Sequence, residues 1–322
     1  MKRKLILAAA LVASFALPAA AQEKATLRLN WLIYGFHTPF LLGVERGYYK
    51  AEGIDLDVGE GKGSGAAVQV IGAKGDTFGL SDGASIINGI TKGAPIKAVM
   101  GIMNTTPFAV IAREDANIKT PKDLEGKTIA ATAGEAGLTI MPALVKANKL
   151  DESKLNFLRV DGATKLVATL EKKADAMLGG SENQVFILEQ RGLKTTVLNY
   201  ADYGVNTMGL AIHVHSDTLK DKPKLVEGFI RATQKAFAEA EKDPNAAIAA
   251  GVKVKPDMDK DLALKQLNAG LKLVRSRAAP TLPMGQMHPG DWEMTVGLMK
   301  DYQELKTDLK ADAFYTNAHV AK

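Results

Sequence analysis

Hydrophobic periodicity constrains this chain more than any other feature: from residue 26 it switches repeatedly between a period of two and one of three to four. The segment LRLNW over 27–31 alternates like a half-buried strand. Thr38-Pro39 supplies an N-cap with proline at the first helical position and Gly53 a stop, so a helix is predicted over 39–51 with the face Phe40, Leu41, Val44 and Tyr48. Ile54, Leu56 and Val58 alternate as the next strand, and the Gly-rich run 59–65 leads into a helix over 66–74. A strand over 77–80, a helix over 84–91 and a buried strand over 96–103 complete the series. A second series starts near 127–132 and continues as helix 136–148, strand 155–160, helix 163–173, strand 175–178, helix 182–191 and strand 195–199. A strand over 208–214 follows, and then helices over 221–241, 244–251, 259–274 and 289–305. Such alternation builds α/β lobes, each a mostly parallel sheet flanked by helices. Two series imply two lobes. The chain is expected to cross near 104–113 and return near 200–210, making lobe 1 discontinuous (25–106 plus 208–322) and lobe 2 continuous (107–207).

Residues 1–21 read as an export leader. Lys2, Arg3 and Lys4 precede an apolar stretch from Leu5 to Leu17, and Ala19 and Ala21 fit the small-residue cleavage rule, so a mature start at Gln22 is expected. The stretch is too short to span a bilayer, and export, with the periplasm as destination, is expected. Without the leader's three basic residues the charge is nearly balanced, and no Lys/Arg run alternates with aromatics, which argues against nucleic acid. The chain contains no cysteine, which excludes disulfides, thiolate metal sites and a cysteine nucleophile.

Several motifs mimic catalysis. GLSDG over 79–83 matches the nucleophile elbow, with Ser81 to be activated by a later histidine such as His288. No HGGG-type segment precedes it, and a strand-end loop opening a helix is the favoured reading; a secreted serine hydrolase using Ser81 is the alternative function. GKGSGA over 61–66 matches a dinucleotide fingerprint, but the helix behind it is short for that role. Its free backbone N–H groups would still suit a polar ligand. GKT over 126–128 ends like a P-loop, yet position 121 is Pro where glycine is required. His213 and His215 share a strand face and could share a metal, but no third ligand is evident. The methionines of 284–299 read as core filling. Neither a metal nor a cofactor is expected.

The motifs LNW (29–31), HTPF (37–40), ERGYY (45–49) and EGIDL (52–56) resemble the opening of ABC-transporter solute-binding proteins of the thiamine-pyrimidine/nitrate/sulfonate/taurine cluster. Residues 79–85, TPKDLEGK over 120–127, Trp292 with its helix and YTN over 315–317 extend the resemblance to nearly the whole mature chain. It implies a periplasmic binding protein of type II, whose two lobes close by hinge bending around a small solute before docking on a membrane permease. It also implies no catalysis; relatives that make the thiamine pyrimidine use a cysteine-rich segment, which is absent here. A monomer is expected.

In such a fold strand ends and helix starts line the cleft. The resemblance nominates Trp31 and His37, Gly63 and Ser64, Ser81 and Asp82 from the first lobe, and Gly134, Glu135, Glu182 and Asn183 from the second. Thr105 and Tyr203 are expected beside the crossings. Three of these positions are acidic (Asp82, Glu135, Glu182) and Lys62 is the only cation near them in sequence. The expected cleft therefore carries negative potential and takes an aminopyrimidine or similar heterocycle, with Trp31 stacking on the ring, in preference to a sulfonate or nitrate.

Overall fold

The computed structural model describes residues 22–320, and the expected leader, residues 1–21, lies outside the described residues. The first lobe opens with β1 (Glu23–Arg28), α1 (Thr38–Glu45), α2 (Tyr48–Ala51), β2 (Ile54–Gly59), α3 (Ser64–Gly72), β3 (Phe78–Asp82), α4 (Gly83–Thr91) and β4 (Ile96–Gly101). The second comprises β5 (Phe108–Arg113), β6 (Thr128–Ala131), α5 (Ala136–Ala147), β7 (Asn156–Arg159), α6 (Gly162–Leu170), β8 (Ala176–Gly180), α7 (Gln184–Gln190) and β9 (Thr195–Asn199). The chain then returns as β10 (Leu210–His215), α8 (Ser216–Asp221), α9 (Pro223–Lys242), α10 (Pro244–Val254), α11 (Lys260–Leu271) and α12 (Pro289–Gln303).

The two sheets share one plan. Their strand orders are β2-β1-β3-β10-β4 and β7-β6-β8-β5-β9. In each, four strands run in one direction and the fifth, β10 or β5, is inserted antiparallel between its neighbours. The expected α/β, two-lobed architecture holds, with differences that have local causes. The stretch FAVIAR (108–113), expected to be crossing chain, is β5. All six of its residues are buried, so it shows no polar alternation to read. The predicted helix 39–51 breaks into α1 and α2 at Gly47, whose φ of 69° is left-handed. The first strand ends at Arg28 rather than at 31, which leaves Asn30 and Trp31 in the loop beyond it.

Each lobe buries its own sheet faces. On the first, α9 packs Phe229 face to face on Phe78 at 3.9 Å, and Phe237 meets Phe36 and Phe40 edge-on. The buried cluster around Trp292 runs through both lobes, because α12 lies against α4 of the first and α5 of the second. Thr295 on α12 accepts from the Met208 backbone N–H at 2.7 Å and donates to Asp291 O at 2.6 Å, tying this helix to the return crossing. Helix α12 thus belongs to neither lobe alone. Among the described residues no helix is long and apolar enough to cross a membrane.

Candidate ligand cleft

Three helices begin at a cavity of about 70 Å³ between the lobes: α3 behind Gly63, α5 behind Glu135 and α7 behind Asn183. Pro107 and Phe108, Gly179 and Gly180, and Leu210 add the near ends of β5, β8 and β10. Helix starts carry unsatisfied N–H groups and a positive partial charge, so this wall favours acceptor atoms. Gly63 has a φ of 114°, and a Cβ there would sit 2.8 Å from the Gly134 carbonyl oxygen across the interface. The lobes are therefore in contact, and the conformation is closed.

Six of the twelve sequence-nominated residues line the cavity: Trp31, Gly63, Ser64, Glu135, Glu182 and Asn183. The other six lie behind it or away from it. His37 is fully buried, with Nε2 3.0 Å from Asn30 Oδ1, and burial drives its pKa down to about 3. It orients Asn30, which does line the cavity. Asp82 caps α4 by accepting from Ser85 N at 3.0 Å, while its own N–H donates to Ser64 Oγ at 3.2 Å. Thr105 donates to Arg275 O at 3.2 Å, and the Tyr203 hydroxyl donates to Lys119 O at 3.4 Å. Gly134 contributes its carbonyl to the lobe contact just described.

Ser81 Oγ lies 2.9 Å from His213 Nε2, not from His288, which stands at the N-cap of α12. Both Ser81 and His213 are fully buried, and His213 Nδ1 has no partner among the described residues. Burial lowers the imidazole pKa to about 3. A base this weak, with no carboxylate to orient it, is ill suited to activate a serine, and Ser81 does not line the cavity. His213 and His215 also part ways: His215 Nδ1 accepts from Asp217 N at 3.0 Å. Among the described residues no group of three His, Cys, Asp or Glu could hold a metal.

The expected negative potential does not survive. Asp82 is a cap, and Glu135 is ion-paired to Lys165, which is 1% exposed. Burial raises the Glu135 pKa and the Lys165 ammonium pulls it back. Lys62, the cation near these positions in sequence, is exposed. Lys165 also places its Nζ 5.5 Å from the Trp31 ring centroid, and a Cβ on Gly162 would lie 2.6 Å from that ring. Glu182 is different. It is 5% exposed; its Oε1 accepts from the Tyr34 hydroxyl at 2.8 Å and its Oε2 has no partner among the described residues. Burial pushes its pKa up to about 7, against the lowering effect of the Tyr34 bond. Sequence reasoning missed Asn30, Tyr34, Gln184, Lys165 and Gln266. Gln266 bridges the lobes, with Oε1 accepting from Gly35 N at 3.0 Å and Nε2 donating to Asn183 Oδ1 at 2.7 Å.

Known proteins share this plan. The model of the family described as NMT1/THI5 like matches residues 35–247. The riboflavin-binding protein RibY of Chloroflexus aurantiacus is 24% identical over 305 residues, covering 92% of this chain and 86% of its own. A 4-amino-5-hydroxymethyl-2-methylpyrimidine phosphate synthase of Legionella pneumophila is 25% identical, covering 74% of this chain and 75% of its own. The formylaminopyrimidine-binding protein of Halalkalibacterium halodurans is 21% identical, with 91% of this chain and 90% of its own covered. The alkanesulfonate-binding protein SsuA of Xanthomonas axonopodis pv. citri superposes with a TM-score of 0.72 at 12% identity, covering 92% of this chain and 99% of that one. At that identity the likeness is one of fold.

Proposed function

This chain belongs to the NMT1/THI5-like family, and on that footing we propose that it is the periplasmic solute-binding component of an ABC importer, closing its lobes on a small nitrogen heterocycle, with an aminopyrimidine as first choice. One observation carries the ligand assignment. Glu182 is a buried carboxyl on the cavity lining, with one oxygen held by Tyr34 and the other without a partner among the described residues. A buried acceptor without a partner is costly, and an exocyclic amine supplies the missing N–H. Trp31 offers the ring a stacking face. A cavity of about 70 Å³ suits a single ring; a three-ring flavin needs the lobes further apart.

Protonation follows from the same group. An exocyclic amine brings its own N–H to Glu182, whereas a bare ring nitrogen needs the proton from the carboxyl. Above about pH 7 the free protein has lost its Glu182 proton, and the carboxylate accepts from the amine of a neutral ring, so affinity for an aminopyrimidine is retained on the alkaline side. A sulfonate meets the opposite case, since only the protonated carboxyl tolerates an anion beside it. Its binding would be confined to acid.

Native mass spectrometry of the purified protein weighs any co-purified solute, and calorimetric titration with aminopyrimidines, riboflavin, taurine and alkanesulfonates ranks the classes. Micromolar binding of aminopyrimidines with taurine inert is the expected result. Micromolar binding of a sulfonate at pH 8 with the amines inert would overturn the reading.

A further inference from the structure

The amide side chains on the cavity wall all turn their oxygens away from it. Gln184 Oε1 accepts from Gly180 N at 2.7 Å, and a backbone N–H only donates, so Nε2 is the end left open. Ser64 Oγ accepts from Asp82 N and its O–H turns to the Asp82 carboxylate, so it is committed behind the wall. Asn30 Oδ1 faces His37 Nε2. For Asn183 the choice is made outside the cavity. Gln266, 2% exposed on α11, accepts from Gly35 N through Oε1, and so must turn Nε2 toward Asn183 Oδ1. Asn183 Nδ2 is then without a protein partner among the described residues.

We propose that Gln266 is a positioning residue that sets the hydrogen-bond polarity of the cleft, holding Asn183 as a donor next to the Glu182 acceptor. This rests on the solute-binding reading above and sharpens it. The wall offers N–H from Asn183 and Gln184, and a single carboxyl from Glu182. Its complement is a small neutral ring with two or more acceptor atoms and one amino group. A 4-aminopyrimidine has that pattern, with two bare ring nitrogens and an exocyclic amine. The corresponding pyrimidin-4-one inverts it, placing a carbonyl where the amine stood and an N–H on the ring. The polarity also arises on closure, because Gly35 and Gln266 belong to the first lobe and Asn183 to the second.

The test compares 4-amino-2-methylpyrimidine with 2-methylpyrimidin-4-one by calorimetry. Wild type is expected to favour the amine by 100-fold or more. Gln266→Met removes both bonds and frees Asn183 to present either end, so the preference should fall at least 10-fold. Equal losses for the two rings, with the ratio unchanged, would make Gln266 merely structural and overturn the proposal. A second arm needs no ligand. Gln266→Glu keeps an acceptor for Gly35 N but, once ionised at pH 8, can only accept from Asn183. The Asn183 side-chain amide should flip, and one of its N–H protons should become protected from solvent exchange by 10-fold or more in NMR spectra. Exchange as in wild type would overturn the proposal. If wild type binds neither ring, the aminopyrimidine reading falls while the exchange arm still decides the role of Gln266.

Discussion

Glu135 and Glu182 are two carboxylates of the same lobe, both buried, both just ahead of a helix that starts at the cavity, and they end in opposite electrostatic states. Glu135 has an ammonium from Lys165 and a backbone N–H from Thr132 at 2.7 Å. Glu182 has one phenolic hydroxyl from the other lobe. The first is a structural ion pair that holds its own wall together and backs Trp31. The second is an incomplete site. An acidic residue in a cleft says little about potential until its partner is known, and here the partner decides which carboxylate is available to a solute.

Removing the partner of the first carboxylate should give the largest effect. Lys165→Met strands Glu135 as a buried unpaired charge, at a cost of about 3–5 kcal/mol of folding stability, measured by urea unfolding at pH 7.5. Adding Glu135→Gln should recover most of it; a loss below about 1 kcal/mol in the single variant would mean that the pair is not what keeps Glu135 in place. Next comes the pH dependence of the second carboxylate. Glu182 binds its proton more tightly folded, with a pKa of about 7, than unfolded, near 4.5. Its stabilising contribution is fully present below 4.5 and is lost as pH rises through 7, roughly 3 kcal/mol in all at about 1.4 kcal/mol per unit. The stability difference between wild type and Glu182→Gln should therefore drift by about that amount between pH 4.5 and 8, and a flat difference would place Glu182 in contact with water.

Gly180→Ala tests the same carboxyl sterically. A Cβ there would stand 2.2 Å from Glu182 Oε2, so the group must move, and binding of 4-amino-2-methylpyrimidine should weaken by about 1.5–3 kcal/mol, the range for hydrogen bonds to charged groups. Gly162→Ala acts on the Glu135 side. Its methyl would meet Trp31 across the lobe contact, an overpacking cost of about 1–3 kcal/mol that falls on closure rather than on folding; affinity should drop by about 5- to 150-fold with the urea midpoint unchanged. Asp82→Asn is the control and the smallest effect. Asparagine caps helices about as well, so both stability and affinity should stay within about 0.5 kcal/mol, and a tenfold loss of affinity would return Asp82 to the cleft.

The order of strands and helices was legible because half-buried elements leave a period in the sequence. Strand β5 was not, since a run buried on both faces has none. Strand-end and helix-start logic found the neighbourhood of the cavity and six of its sixteen lining residues, but not the direction of side chains. His37 and Asp82 sit one layer behind Asn30 and Ser64, which they support through hydrogen bonds. The partners of the acidic residues were out of reach for another reason. Tyr34 is 148 positions from Glu182, and Gln266 is 83 from Asn183. Lys165 is nearer, 30 positions from Glu135, but it lies on a helix the pattern presents as an ordinary surface element. Pairings of this kind exist only once the lobes have met.

The inserted strand β10 also has a consequence for the order of assembly. It lies between β3 and β4, and among the described residues β4 has no other partner strand, its outer side carrying a single bridge from Ala98 to Tyr315. During synthesis β4 is complete at Gly101 and then waits, edges bare, until Leu210–His215 has been made. The second lobe has no such wait, because all five of its strands lie within Phe108–Asn199. Domains made from continuous chain can mature as they emerge, so the middle of this molecule is ready before its beginning. Bare strand edges invite pairing with other chains. A nascent copy truncated before Leu210 is thus the species that most needs a chaperone's cover.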